Sequence, residues 1–354
     1  MWLLGLVLAV TTAQGIYGPI AIYNNSGPHP TKIIFDTDGV ADDMRALTLA
    51  LRTSTVQVIA ITASHGTMQG DQVIANINRV LRANNITNVP IYKGARGPLL
   101  VDNSAKDPYF NGLDGLGDRP DAEPAARAND SQIYEKNITA AEAFVTLTKA
   151  HQDVTIVATG SLTNIALALK LDPDFALRPQ KLVIMGGNYL GIGNSYSGQS
   201  TEWNFALDPE AASIVLAEMR IPVTVIPWEA YYIEGQKYAK SVNYTTHLTL
   251  GTPLANFFTA ITEKGRKSLA ETGSEMAYVD EIAMAVAINE TAMVTDCKNL
   301  RVHVELAGKG QVVPDWVTRN FVEDTDQATT LSYIRFVTAY NATLLNEWMI
   351  KAFS

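Results

Sequence analysis

The stretch Thr31-Lys32-Ile33-Ile34-Phe35-Asp36-Thr37-Asp38-Gly39-Val40-Ala41-Asp42-Asp43, followed by Met44-Arg45-Ala46-Leu47-Thr48-Leu49-Ala50-Leu51, decides the fold class. Thr31 to Phe35 has the apolar, β-branched character of a buried strand, and Met44 to Leu51 that of a helix. Four aspartates lie between and around them, so the acids sit where a strand ends and a helix begins. In open α/β sheets this crevice at the carboxyl ends of the strands binds ligands. An acidic first turn favoured by the helix dipole accounts for Asp42 and Asp43 but not for Asp36 and Asp38 on the strand side. Buried together, four carboxylates repel one another, and a hard cation with oxygen ligands resolves the conflict.

The same alternation continues outward. Val56–Thr62, Asn88–Tyr92, Val154–Ala158, Lys181–Met185 and Val223–Ile226 read as strands, and 72–81, 139–150, 165–171 and 209–219 as helices. This βα pattern predicts a single-domain, open, mostly parallel α/β sheet covered by helices. Residues 300–322 predict a small antiparallel addition, and a final helix is expected from about Thr329 to Phe353. Residues 102–130, rich in Gly, Pro and Asp, are too long for an ordinary connection and read as a lid, a binding loop or a disordered segment.

The chain has 354 residues, 47% of them hydrophobic, enough for a sizeable core. A net charge of -9, with no basic block, excludes nucleic acid as a partner, because phosphate contacts need a basic face. The apolar run from Trp2 to Val10 is too short to span a membrane and is followed by small residues, so residues 1–15 are expected to be a signal peptide and 16–354 the mature domain. Sequons at Asn24, Asn85, Asn129, Asn137, Asn243, Asn289 and Asn341 agree with a secreted, extracellular glycoprotein. The one cysteine, Cys297, can form no intrachain disulfide and is expected to be a buried thiol.

Three further segments accompany the acids: Thr159-Gly160-Ser161-Leu162-Thr163-Asn164, Met185-Gly186-Gly187-Asn188 leading to Asn194 and Glu202-Trp203-Asn204, and Tyr278-Val279-Asp280-Glu281. Together with the Asp-x-Asp-x-x-x-Asp-Asp spacing and Asp208-Pro209-Glu210-Ala211, they resemble the inosine–uridine-preferring nucleoside hydrolases from about Lys32 to the C-terminal helix. The resemblance implies calcium as cofactor, with Asp38, Asp43, Asp280 and the carbonyl of Thr159 as ligands. It also implies Asp38 as the base that takes a proton from the attacking water. Asp42, Asn194, Glu202, Asn204 and Asp280 match residues that grip the ribose, with Met185 lining the same pocket. The implied substrate is a nucleoside, and the implied assembly a homo-oligomer.

Gly39, where relatives usually have proline, and Trp203 resemble the purine-preferring branch. Position 279, a histidine or tryptophan in relatives, is valine here, so the base must be stacked and activated from elsewhere. Tyr278, Tyr109, Phe110 and Trp203 are the candidate aromatics. Asp36 and Asn76 are expected to support the site from behind, Asn188 to stabilise a turn, Thr67 to lie near the ribose, and His65 to be a satisfied or solvated histidine near the mouth. Two rival readings remain. Asp36-Thr37-Asp38-Gly39-Val40 also resembles the nucleophile loop of haloacid-dehalogenase-type phosphatases, with Asp36 attacking phosphorus and magnesium as the metal. The other is a secreted nucleoside-binding protein without catalysis, disfavoured because every identified ligand position is intact.

Overall fold

The computed structural model describes residues 30–100, 110–195, 200–307, 309–315 and 333–354. The strands are Thr31–Thr37 (β1), Val56–Ala63 (β2), Ile91–Lys93 (β3), Val154–Ala158 (β4), Lys181–Met185 (β5), Val223–Ile226 (β6), Val294–Leu300 (β7), Val302–Glu305 (β8), Gln311–Pro314 (β9) and Ile334–Tyr340 (β10). Eight of them form one sheet in the order β3-β2-β1-β4-β5-β6-β10-β7. Neighbours run parallel except at the edge, where β7 is antiparallel to β10. From β1 the chain winds outward to β2 and β3, then returns to β4 on the other side and winds outward again. The carboxyl ends of β1 and β4 therefore flank a topological switch point, where a crevice opens between diverging connections.

The helices are Ala41–Leu51 (α1), Gly70–Ala83 (α2), Ala140–Ala150 (α3), Thr163–Leu171 (α4), Trp203–Leu207 (α5), Pro209–Glu218 (α6), Gln236–Tyr238 (α7), Pro253–Ile261 (α8), Glu263–Glu271 (α9), Asp280–Met293 (α10) and Ala342–Phe353 (α11). One core, containing Met44, Ile77, Phe258, Met284 and Phe353, covers one face of the sheet with α1, α2, α8, α10 and α11. A second, containing Phe144, Ile165, Phe175 and Val215, covers the other with α3, α4 and α6. Each fully buried Leu, Ile or Phe contributes roughly 1.5–3 kcal/mol relative to exposure, so both faces resist opening at the crevice.

The expected parallel sheet and the antiparallel pair β8–β9 are present. The C-terminal expectation is corrected: Ile334–Tyr340 is a strand, and the helix begins only at Ala342. Ile334, Phe336, Val337 and Tyr340 are buried between β6 and β7, and Asn341 caps the helix by accepting from the Leu344 N–H at 3.0 Å. Cys297, on β7, is half-buried and accepts from Arg335 Nε at 3.3 Å.

Of the long loop, 110–130 is described, and it is tied down by the polar face of α2. Arg79 donates to the carbonyls of Pro124, Arg119 and Ala122 at 2.6–2.7 Å, and Arg82 pairs with the buried Asp130. Asn76 Nδ2 joins this loop to the acid motif, donating to Asp114 O at 2.7 Å and Gly39 O at 2.8 Å. Residues 1–15, expected to be a signal peptide, and Asn24 and Tyr109 lie outside the described residues.

Candidate active site

At the end of β1 the chain turns through Gly39, whose φ of +76° suits glycine, into α1. Asp43 is fully buried at this turn. It accepts from Thr37 Oγ1 at 2.6 Å, from the Val40 N–H at 3.1 Å and from the hydroxyl of Thr159, which follows β4. Asp280 arrives from the first turn of α10, and oxygens of Asp42, Asp43 and Asp280 lie within 4.8 Å of one another. Asp38 stands beside this triplet, with Oδ2 accepting the Thr67 N–H at 2.6 Å. A β-carbon at Gly66 would lie 2.1 Å from that oxygen, so the backbone can come close only because residue 66 is glycine.

Burial raises the pKa of all four carboxyls. Neighbouring acids raise Asp38, Asp43 and Asp280 further, most strongly Asp43 and Asp280, whereas the Arg45 charge offsets part of the rise at Asp42. Asp42 Oδ1 is buried with no hydrogen-bond partner. Crowded hard oxygens with an unsatisfied member fit a cation. Asp38, Asp43, Asp280 and Thr159, the ligand set implied by resemblance, all line this cavity, although the tightest carboxylate group contains Asp42 rather than Asp38.

Beside the acids, Glu202 caps the short helix α5. Its carboxylate accepts from the N–H groups of Gly187 at 2.7 Å, Asn204 at 2.9 Å and Phe205 at 3.1 Å. Burial nevertheless pushes its pKa to about 7. Asn204 Nδ2 donates to the carbonyls of Thr159 and Met185, both at 3.1 Å, and Asn194 Oδ1 accepts the Trp203 N–H at 2.7 Å. The Trp203 indole donates to Thr67 Oγ1 at 3.1 Å. Asp42, Met185, Asn194, Glu202, Trp203, Asn204 and Asp280 thus converge on one cavity of about 320 Å³.

The rest of the lining is aromatic and cationic. Trp228, just beyond β6, packs on Tyr231 in the π-helical turn Ala230–Gly235, with ring centroids 4.5 Å apart. Phe110 rests against Gly265 of α9. Arg45, Arg266, Leu269, Met276 and Val279 complete the lining. Sequence reasoning missed Trp228, Tyr231, Arg45 and Arg266, since none lies in a motif. It also misplaced Tyr278, which is fully buried, donates to Asn346 Oδ1 at 2.7 Å and packs edge-on against Tyr244.

Behind the acids, Asp36 Oδ1 accepts from Thr62 Oγ1 at 2.6 Å and Asn164 Nδ2 at 2.9 Å. Burial pushes its pKa to about 7. Asp36 is fully buried and does not line the cavity, so it cannot attack a phosphate ester, and the phosphatase reading fails. His65 is buried and bonded to Thr163 Oγ1 at 2.7 Å, and Thr163 in turn donates to Asp208. Asn188 Nδ2 donates to the carbonyls of Ile192 and Ser200.

A profile of the family described as "Inosine-uridine preferring nucleoside hydrolase" matches residues 33–343. The chain belongs to this family. It is 32% identical to the "Probable uridine nucleosidase 1" of rice over 54% of its own length and 57% of that protein's. It is 37% identical to the "Pyrimidine-specific ribonucleoside hydrolase RihA" of an Enterobacter strain over 52% and 55%. The chain thus spans little more than half the length of these curated relatives. An "Inosine-Guanosine Nucleoside Hydrolase" structure superimposes with a TM-score of 0.77 at 27% identity, covering 91% of this chain and 98% of that one. A "Purine-Preferring Ribonucleoside Hydrolase from Gardnerella vaginalis" superimposes at 0.75 with 24% identity over 91% and 98%, and it speaks to the fold alone.

Proposed function

We propose that the protein hydrolyses the N-glycosidic bond of ribonucleosides, preferring purines, to give ribose and the free base, with calcium as cofactor. The observation that carries this reading is the single cavity lined by carboxylates and amides together with a packed pair of aromatic rings. It offers a grip for a polar sugar and a slot for a flat base.

Asp38, Asp43, Asp280 and the Thr159 carbonyl would hold the calcium ion. When bound, the ion supplies the charge that lets these acids ionise together and that favours proton loss from water beside them. Asp38, aligned by the Thr67 N–H, takes the proton of the attacking water. Glu202, Asn204, Asn194 and Asp42 fix the ribose hydroxyls, and the carboxylates nearby stabilise the positive charge that develops on the sugar as the bond breaks. The Trp228–Tyr231 pair, Phe110 and Trp203 confine the base and exclude water. A purine offers these rings a larger face than a pyrimidine.

The test is to incubate the purified protein with inosine, guanosine, adenosine, uridine and cytidine in phosphate-free buffer and measure free base and reducing sugar. Release of ribose, faster from purines, is expected. Dependence on phosphate, with ribose 1-phosphate as product, would make the enzyme a phosphorylase and overturn the reading. Binding without turnover would favour a nucleoside-binding protein. Uridine cleaved as fast as inosine would overturn the purine preference.

We further propose that the protein is secreted and N-glycosylated. The asparagines at 85, 129, 137, 243 and 289 are exposed, and no described helix is long and apolar enough to cross a membrane. Enzymatic deglycosylation of protein from its native source should lower its mass, and an unchanged mass with Met1 retained would contradict secretion.

A further inference from the structure

The cavity has no side-chain acid at position 279 to assist a departing base, but two guanidinium groups enter its wall. Arg45 projects from α1, one turn beyond Asp42, and is nine-tenths buried or more. Its Nε lies 2.8 Å from Glu281 Oε1, and Nη1 lies 3.7 Å from the Met276 sulfur. Among the described residues Nη2 has no hydrogen-bond partner. The ion pair is poorly directed as a hydrogen bond, so it fixes the charge in place without using all its donors. Glu281 Oε2 meanwhile accepts the Val279 N–H at 3.0 Å, which locks the turn leading into Asp280.

Arg266, on α9 beside Phe110, spends Nε on Thr262 Oγ1 at 3.3 Å and Nη2 on Thr259 O at 3.0 Å. No hydrogen bond within the described residues uses its Nη1. Burial lowers the pKa of Arg266, Glu263 raises it in part, and the nearby charge of Arg45 lowers it further. Bringing two guanidinium groups to an apolar, aromatic wall is costly unless something they contact accepts their remaining hydrogens.

We infer that Arg45 and Arg266 read the O6/N7 edge of a 6-oxopurine and stabilise that base as it leaves. This rests on the nucleosidase reading and narrows its substrate class to inosine- and guanosine-type nucleosides. Both atoms of that edge are acceptors, and a guanidinium offers only donors. Adenine presents a donor amino group at the same place and cannot make the pair. When the C1′–N9 bond breaks, its electron pair passes to N9 and spreads to N7 and O6. Fixed N–H donors at those atoms lower the energy of the departing anion without a proton transfer. The attacking water adds hydroxide to C1′, its proton goes to Asp38, and the purine anion takes a proton from solvent, which balances the step.

The experiment compares kcat/KM for inosine, adenosine and p-nitrophenyl riboside in the wild type, in Arg266→Met and in the paired Arg45→Met/Glu281→Met. The paired change avoids a buried glutamate without a counter-charge. Circular dichroism checks the fold of each variant, and tryptophan quenching measures binding of free hypoxanthine and adenine. The wild type should favour inosine over adenosine. Each variant should lose roughly ten- to a hundredfold on inosine, the scale of one bidentate base contact. Arg266→Met should change less than about threefold on p-nitrophenyl riboside, whose leaving group does not need such stabilisation. The paired variant also loses the Glu281 contact that holds the Asp280 turn, so it is read by its inosine to p-nitrophenyl riboside ratio alone. An equal loss on all three substrates would show a structural role and overturn the inference, as would a wild type indifferent to inosine and adenosine. Both outcomes leave the nucleosidase reading standing. If no substrate is cleaved, that reading fails separately, and base binding decides. Hypoxanthine bound in preference to adenine and lost in Arg266→Met still supports recognition of the O6/N7 edge, and no preference overturns it.

Discussion

The two walls of the cavity are built by different means. Asp38 and Asp43 come from one strand–helix turn, and donors from that turn and its strand neighbours hold them: the Thr37 and Thr159 hydroxyls and the N–H groups of Val40 and Thr67. The rings and guanidinium groups of the rest of the lining come from a loop (Phe110), the end of β6 (Trp228), a π-helical turn (Tyr231), α1 (Arg45) and α9 (Arg266). Few hydrogen bonds fix them, and packing does most of the positioning. The first wall can tolerate almost no substitution, whereas the second can be retuned position by position. Base selectivity would then vary within one family while the sugar end stays fixed, in keeping with the pyrimidine-specific and inosine–guanosine names of two relatives.

The acid wall should therefore give the largest effects. Asp43→Asn and Asp280→Asn should each lower kcat/KM by about a thousandfold or more, since a bound cation contributes several kcal/mol to such chemistry. Calcium titration followed by calorimetry should show binding lost in both. In calcium-free buffer Asp280→Asn should melt at or above the wild-type temperature, because one of several mutually repelling buried acids is gone, whereas Asp43→Asn also disturbs the three hydrogen bonds that Asp43 accepts. With calcium the order should reverse. A metal-free, fully active Asp43→Asn protein would remove the site assignment.

Glu202→Gln comes next. The carboxylate satisfies three backbone N–H groups, and an amide nitrogen in its place would face donors. The cost in stability should be about 1–3 kcal/mol, read from denaturant unfolding, with activity falling in step as the ribose contacts shift. Unchanged stability would mean that the Gly186–Gly187 turn does not depend on Glu202.

The difference between the walls also decides how much could be read in advance. Asp38, Asp43, Thr159, Glu202 and Asn204 lie in short segments at strand ends, and the βα alternation gives those positions away. Trp228 and Tyr231 follow β6 in no motif, and an aromatic residue after a strand looks the same whether it enters a core or a pocket. Arg45 and Glu281 form their pair across 236 positions of sequence, and no local pattern announces it. The strand Ile334–Tyr340 was mistaken for helix because its apolar residues run on into those of α11. The separating signal was Asn341, a helix-capping residue type in the middle of the supposed helix.

On the aromatic wall the effects should be moderate and selective. Trp228→Ala and Tyr231→Ala each remove one ring of a stacked pair, worth about 0.5–1.5 kcal/mol beyond buried area, so turnover of inosine should fall roughly three- to tenfold. An activated nucleoside with a good leaving group should be affected less. A thousandfold loss from either change would place that ring among the groups that fix the sugar and would erase the contrast between the walls.

The smallest effect on activity is expected at Tyr278, and it tests where the second wall stops. By sequence this tyrosine, two positions before Asp280, is a natural base-stacking residue. In the fold it points the other way, into a nest with Tyr244, His247 and Asn346, while Val279 lines the cavity. Tyr278→Phe keeps the ring and deletes only the hydroxyl that donates to Asn346. Kinetic constants for inosine and uridine should stay within about twofold of wild type, while unfolding should cost about 1 kcal/mol less for the lost buried hydrogen bond. A changed ratio of inosine to uridine turnover with unchanged stability would place Tyr278 against the base after all. The turn held by Glu281 would then have to open when substrate binds.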